Sequence, residues 1–263
     1  MLSFFICRFP GAGILLSGKV VEMIKIYAHR GYSGVYPENT MLSFMKAIEA
    51  RVDGIELDIH YSKDKEIMIQ HDEAMKRCTG LEGFIFDYTR SELEKINAGV
   101  VKDNEFGFTP IPSFEEYLDY IKDKKITTNV ELKTAPVYYD GIEEKAVEMI
   151  YKAGLEDNII FSSFNWLSIV RVKKIAPEIP AGLLIDQRLF GMGALLGKEK
   201  MDFFHPHYAT VDVDAVKDMH SYGVGVNVWT VDEEPDVLSM MSFKVDGIIT
   251  NQPERVRKIV RNK

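Results

Sequence analysis

From residue 23 onward, short apolar runs and amphipathic segments take turns along the chain, and no other feature constrains the fold as tightly. The runs are IKIYAH (24–29), GIELDIH (54–60), ITTNVEL (126–132), NIIFSSF (158–164), PAGLLI (180–185), DFFHP (202–206), VGVNVW (224–229) and VDGIIT (245–250). Each has the length and the β-branched or aromatic content of a buried strand, and most are followed by a segment of helical period. Strands joined through helices pair in parallel, because a parallel pair needs a long crossover and an antiparallel pair does not. Eight such runs predict a closed (β/α)₈ TIM barrel, not an open doubly wound sheet. No GxGxxG follows the first run, which weighs against a dinucleotide-binding fold. A barrel of this type takes roughly 250 residues, and the chain has 263.

The intervening segments carry helix signals of their own. Thr40 is a candidate N-cap for TMLSFMKAIEA, whose residues Leu42, Met45, Ala47 and Ile48 suit one apolar face. Ser113, with Glu116 three residues on, has the capping-box pattern. Further helices are expected near 140–153 and 165–175, and IMIQH (67–71) reads as an extra strand. Residues 72–112 are irregular, Gly-rich and punctuated by Pro110 and Pro112. A structureless loop of that length is unusual, so a small inserted subdomain or lid after the second strand region is expected, with SELEKI as a short helix. Residues 1–22 are apolar in patches but broken by Arg8, Pro10, Gly11 and Gly13. They lack both the unbroken span of about 20 residues that crosses a membrane and a basic leader region. They are read as an N-terminal extension outside the fold, with translation starting at Met23 and the barrel domain running 23–263; the mass of the native protein decides this.

Reactive side chains gather at the ends of these strands. His29 and Arg30 end the first, beside Gly31 and Gly34, with Glu38 and Asn39 just before a helix. An isolated His-Arg pair is more often a cap and a surface ion pair; the glycines, which allow a ligand close to the backbone, shift the balance toward function. In GIELDIH, period two sends Glu56, Asp58 and His60 to one side of the strand. On a sheet edge they would face water. In a barrel they point inward near the mouth, where unpaired acids are costly and a hard divalent cation, Ca²⁺ or Mg²⁺, compensates them. Glu131 ends the third strand, with Lys133 two residues later, a compact positive charge for a phosphate oxygen. His71 stands beside Asp72, which orients its ring, and His60 is assigned a supporting role. Trp229 ends the seventh strand and walls the pocket or fills the core.

His205 and His207 have no third ligand nearby and are read as loop structure, while His220 is expected to meet helix carbonyls. There is no P-loop, GxSxG or CxxC pair, and the two cysteines fit a reduced intracellular setting. The net charge of −8 gives no support to nucleic acid or anionic membrane as a partner.

HRG…PENT, then ELD, then KD…HD, then a strand ending ELK, resembles the glycerophosphodiester phosphodiesterase family. SSF (162–164), NVWTVD (227–232) and IITNQPE (248–254) are similar to it as well. The resemblance covers residues 24–260 and looks like the compact bacterial, cytosolic branch. It implies a TIM barrel and the hydrolysis of glycerophosphodiesters to sn-glycerol 3-phosphate and an alcohol. By motif position it implies acid/base roles for His29 and His71, a divalent cation on Glu56, Asp58 and Glu131, and phosphate contacts from Arg30 and Lys133. Glu38 and Asn39 look like site support. Ser62 and Asn251-Gln252 depart from the family's commoner residues and are read as lying away from the core of the site. The attacking group is either water or the substrate's neighbouring glycerol hydroxyl. The rival readings are a phospholipase D-like lyase acting on lysophospholipids and a non-catalytic binding module. The expected partner is a small-molecule substrate, with no stable membrane insertion, in a cytoplasmic monomer or homodimer.

Overall fold

The structure, a computed structural model, describes residues 23–262 and the backbone of Ile14–Leu16 and Lys19–Val21. Those two short strands pair antiparallel in a sheet of their own; the rest of the expectation for residues 1–22 lies outside the described residues.

Among the described residues, eight parallel strands close into a barrel. They are β1 (Lys25–His29), β2 (Gly54–Tyr61), β3 (Thr127–Leu132), β4 (Ile159–Ser163), β5 (Ala181–Ile185), β6 (Phe203–Pro206), β7 (Gly225–Val228) and β8 (Gly247–Thr250). Each pairs with the next, and β8 pairs with β1. A helix follows each strand: α1 (Met41–Glu49), α2 (Phe114–Ile121), α3 (Ile142–Ala153), α4 (Trp166–Ile175), α5 (Met192–Lys198), α6 (Val213–Ser221), α7 (Glu234–Phe243) and α8 (Pro253–Arg261). This is the TIM barrel that the alternation predicts.

Every residue of β2 is buried, because its two faces meet different surroundings. Ile55, Leu57 and Ile59 join Phe44 of α1 and Tyr117, Leu118 and Ile121 of α2 in the main core. Each such side chain contributes about 1.5–3 kcal/mol of burial. Glu56, Asp58 and His60 take the opposite face, toward the barrel axis. Thr40 caps α1 as expected, accepting from the Ser43 N–H while the Ser43 hydroxyl accepts from the Thr40 N–H. The buried face of that helix differs from expectation: Ser43, Phe44 and Ala47 are buried, and Met45 is exposed. The large Phe44 ring wins the core position, and the helix turns accordingly.

Between β2 and α2 the chain leaves the barrel. Ile67–Ile69 pairs antiparallel with β2, and the short helices Lys76–Thr79 and Arg90–Leu93 follow. Met68, Met75, Ile85, Leu93, Ala98 and Ile111 form a small core there, separate from that of the barrel.

Tyr27, Ile160 and Ile249 plug the barrel interior, with Phe203 and Trp229 packed against them. His205 also points inward from β6, not into a loop, and it is fully buried, with no hydrogen-bond partner on either ring nitrogen among the described residues. Room for the ring comes from β5, where a Cβ on Gly182 would lie 2.6 Å from His205 Nε2. Burial pushes His205 from the ordinary 6.5 down to about 3. The unfolded chain therefore binds the proton more readily, so this contribution to stability is complete above pH 6.5 and is lost as pH falls toward 3. By pH 5 the loss amounts to about 2 kcal/mol. Urea unfolding at pH 7 and pH 5 should show the wild type losing about that much more stability than His205→Leu. Equal losses would show that the ring is protonated in the folded state without penalty.

Candidate active site at the mouth of the barrel

Strand register sets the singled-out residues on two successive inward-facing levels: His29 is level with Glu56, and Asp58, two residues further along β2, with Glu131. Neighbouring strands lie about 4.8 Å apart, so inward side chains at one level meet. Glu56, Asp58 and Glu131 are buried, and each places an oxygen within 4.8 Å of the others. Burial, with the charges of Asp58 and Glu131, holds the Glu56 carboxyl well above the usual carboxylate range. Burial also raises Glu131, Asp58 adding to it and Lys133 opposing it. Burial works on Asp58 too, but His71, Lys133 and Arg30 outweigh it and hold that carboxyl low. Asp58 Oδ1 is buried with no hydrogen-bond partner among the described residues. Three converging carboxylates, two of them destabilised as anions, form the oxygen-donor set that a hard divalent cation takes. The residues fit a divalent metal site.

Two cations frame the acids. Lys133 Nζ stands 2.9 Å from Glu131 Oε1 and 3.7 Å from Asp58 Oδ1. Arg30 Nε stands 3.7 Å from Asp58 Oδ2, and the Arg30 N–H donates to Glu56 Oε2. That N–H reaches Glu56 from a left-handed backbone, φ 54°, which non-glycine residues seldom adopt outside turns and functional sites. Asn39, at φ 53°, donates Nδ2–H to Asp58 Oδ2 at 2.8 Å.

The two histidines flank the acids in different surroundings. His29 Nε2 lies 3.9 Å from Glu56. Its Nδ1 meets Asn251 Oδ1 at 2.7 Å, and the Asn251 amide is fixed by donation from Nδ2 to Asp232 Oδ2. The Asn251 oxygen therefore faces the ring, and His29 donates from Nδ1. Burial, together with the Arg30 guanidinium, pushes His29 down to about 4. Asn251 thus touches the core of the site, which corrects the reading that placed it away. A sequence comparison cannot see this contact, because 222 residues separate the pair.

His71 donates Nδ1–H to Asp72 Oδ1 at 2.5 Å, and its Nε2 lies 3.3 Å from Lys133 Nζ. His60 holds it from behind. A carbonyl only accepts, so His60 donates Nε2–H to the His71 carbonyl and accepts at Nδ1 from the Tyr139 hydroxyl. Burial pushes His60 down to about 4, which keeps the ring neutral. Glu38 accepts from Arg30 Nη1 and also from Arg77, a residue of the inserted segment. Arg77 and Tyr139 escaped sequence reasoning because neither sits in a periodic segment or beside a recognisable motif.

Trp229 lies edge-on to Phe164 and lines the cavity together with His29, Glu56 and Glu131. His207 accepts from the Ala209 N–H through Nδ1 and takes no part in the acidic cluster. His220 meets Asp246 Oδ2 at 2.8 Å, not helix carbonyls; Asp246, just before β8, also accepts from the Val226 N–H of β7 and so stands beside the end of α6.

Fold and site together define a (β/α)₈-barrel phosphodiesterase. A model described as the glycerophosphoryl diester phosphodiesterase family matches residues 29–255. The chain belongs to that family. It is 38% identical to a glycerophosphodiester phosphodiesterase of Caldanaerobacter subterraneus subsp. tengcongensis, over 90% of this chain and 97% of that one. It is 35% identical to one of Bacillus altitudinis, over 90% and 98%. Among solved structures, a phosphodiesterase of Oleispira antarctica in complex with the product sn-glycerol-3-phosphate matches with a TM-score of 0.81 at 27% identity, over 91% of this chain and 97% of that one. No helix among the described residues is long and apolar enough to cross a membrane.

Proposed function

We propose that the protein hydrolyses glycerophosphodiesters to sn-glycerol 3-phosphate and an alcohol, with Ca²⁺ or Mg²⁺ on Glu56, Asp58 and Glu131 and with His29 and His71 moving the protons. The observation that carries this reading is the placement of two differently partnered histidines around one acidic cluster framed by Arg30 and Lys133.

A bound divalent cation would withdraw electron density from the phosphoryl oxygens. Arg30 and Lys133 bind the non-bridging oxygens, the first as a planar fork and the second as a point charge. Asn39 keeps Asp58 in place, Glu38 keeps Arg30, and Trp229 excludes water from one wall. His29, neutral and with Nδ1–H committed to Asn251, presents a lone pair at Nε2 and takes the proton of the attacking water or glycerol hydroxyl. That oxygen bonds phosphorus as the P–O bond to the alcohol breaks; where the glycerol hydroxyl attacks, the product is a cyclic phosphate that water then opens to glycerol 3-phosphate. His71, its Nδ1–H held by Asp72, gives a proton from Nε2 to the departing alkoxide; for this the Lys133 ammonium, which only donates and faces Nε2 at 3.3 Å, must turn to the phosphate and leave Nε2 free to carry that proton.

The test is release of glycerol 3-phosphate from glycerophosphocholine by the purified protein. Release should stop on chelation with EDTA and return with added Mg²⁺ or Ca²⁺; binding without turnover under both cations would overturn the proposal. A second reading draws on exposed apolar residues around the catalytic face: Phe164 is 38% exposed, Leu167 59% and Phe190 78%. Such a rim suits the acyl chain of a lysophospholipid. Faster choline release from lysophosphatidylcholine than from glycerophosphocholine would favour it.

A further inference from the structure

We infer that Arg77, on the short helix Lys76–Thr79 of the inserted segment, is a positioning residue that sets both the phosphate-binding arginine and the second histidine through two separate acids. This rests on the roles proposed above for Arg30 and His71. Arg77 Nη1 and Nη2 fork onto Glu38 at 2.7 and 2.8 Å. Arg77 Nε and Nη2 fork onto Asp72 at 2.6 and 3.1 Å. The oxygens that Nη2 grips are the same two that do the holding: Glu38 Oε1 also accepts from Arg30, and Asp72 Oδ1 also accepts from His71.

One nitrogen therefore bridges the two sides of the site. Without it, two carboxylates would face each other across a short gap, free to repel and to swing their partners out of line. A lysine carries the charge but not the planar fork, so it cannot hold both acids at once. The helix itself is anchored, with Met75 and Cys78 buried on either side of Arg77, and the Arg77 side chain is 41% exposed. An isolated ion pair at that exposure stabilises little, so the consequence belongs to geometry at the site and not to the fold.

Steady-state kinetics on glycerophosphocholine test this. Arg77→Ala should lower kcat about 10-fold through Asp72 and His71, and raise KM about 5-fold through Glu38 and Arg30. In an Asp72→Asn background the kcat part should vanish and the KM part persist; in a Glu38→Gln background the reverse should hold. Methylguanidinium should restore part of the rate to Arg77→Ala and leave the wild type unchanged. Arg77→Lys should show the same split at smaller size, so poor folding of the alanine variant does not remove the test. Undiminished losses of both parameters in both backgrounds, or no loss in either, would overturn the inference. Its failure is separable from failure of the proposed reaction: if only the tie is wrong, His71→Ala remains inactive while the Arg77 variants show no split.

Discussion

His29→Ala and His71→Ala should each lower kcat by about 10²–10⁴-fold, the range that positioned acid/base groups supply, while unfolding midpoints stay near that of the wild type. Neither ring belongs to the apolar core, and their side chains are 15% and 29% exposed at the mouth, so truncation opens no large cavity. The two variants should then part company on a substrate with a good leaving group. A nitrophenyl glycerophosphate needs no proton on its departing oxygen, so His71→Ala should regain most of its rate with it. His29→Ala should not, because the nucleophile still has to lose a proton. The different partners motivate the assignment: Asn251 commits His29 Nδ1–H and leaves Nε2 as a base, whereas Asp72 holds His71 beside Lys133. Rescue of the opposite variant would exchange the roles, and ordinary turnover in either would remove that histidine from the mechanism.

Glu56→Gln should abolish measurable turnover and at the same time stabilise the protein freed of divalent cations. Glu56 is buried among two other carboxylates, and its carboxyl is held well above the usual range by burial first and by Asp58 and Glu131 second. A carboxyl raised in the folded state contributes stability at low pH that is lost as pH rises through its folded value. Glutamine keeps the shape and removes the charge, so the metal-free variant should unfold at a higher temperature than metal-free wild type at pH 7, and the gap should close as pH falls toward 4. Added Mg²⁺ or Ca²⁺ should reverse the order. A ligand at 100 times its Kd stabilises by about 2.7 kcal/mol, and only the wild type keeps all three carboxylates. Equal cation-induced shifts in the two proteins would show that Glu56 is no ligand.

Much of this site is legible in the sequence. Period two in GIELDIH told which side chains share a face, because alternate residues of a strand point to opposite sides whatever the fold around them. The strand-end positions of His29, Glu131 and Lys133 followed from run length alone. In the sequence Asn251 is only a departure from a motif, and its bond to His29 appears when β8 closes against β1. Tyr139 reaches His60 across 79 residues, and Arg77 reaches Glu38 across 39. On the apolar face of α1, Ala47 is buried as expected while Phe44 takes the core place expected of Met45, since the two are equally good hydrophobes until one of them meets the barrel.

What the sequence by itself determined is the set of reactive groups and the face each one takes, since both follow from local periodicity and from the spacing of strands and helices. What only the tertiary structure decided is the partnership among them: which acid stands level with which, which amide fixes His29, and how an arginine of the insertion comes to hold two acids. Those pairings depend on the register of barrel closure and on where an aperiodic segment packs. Both are set by long-range burial, which leaves no trace in the order of neighbouring residues.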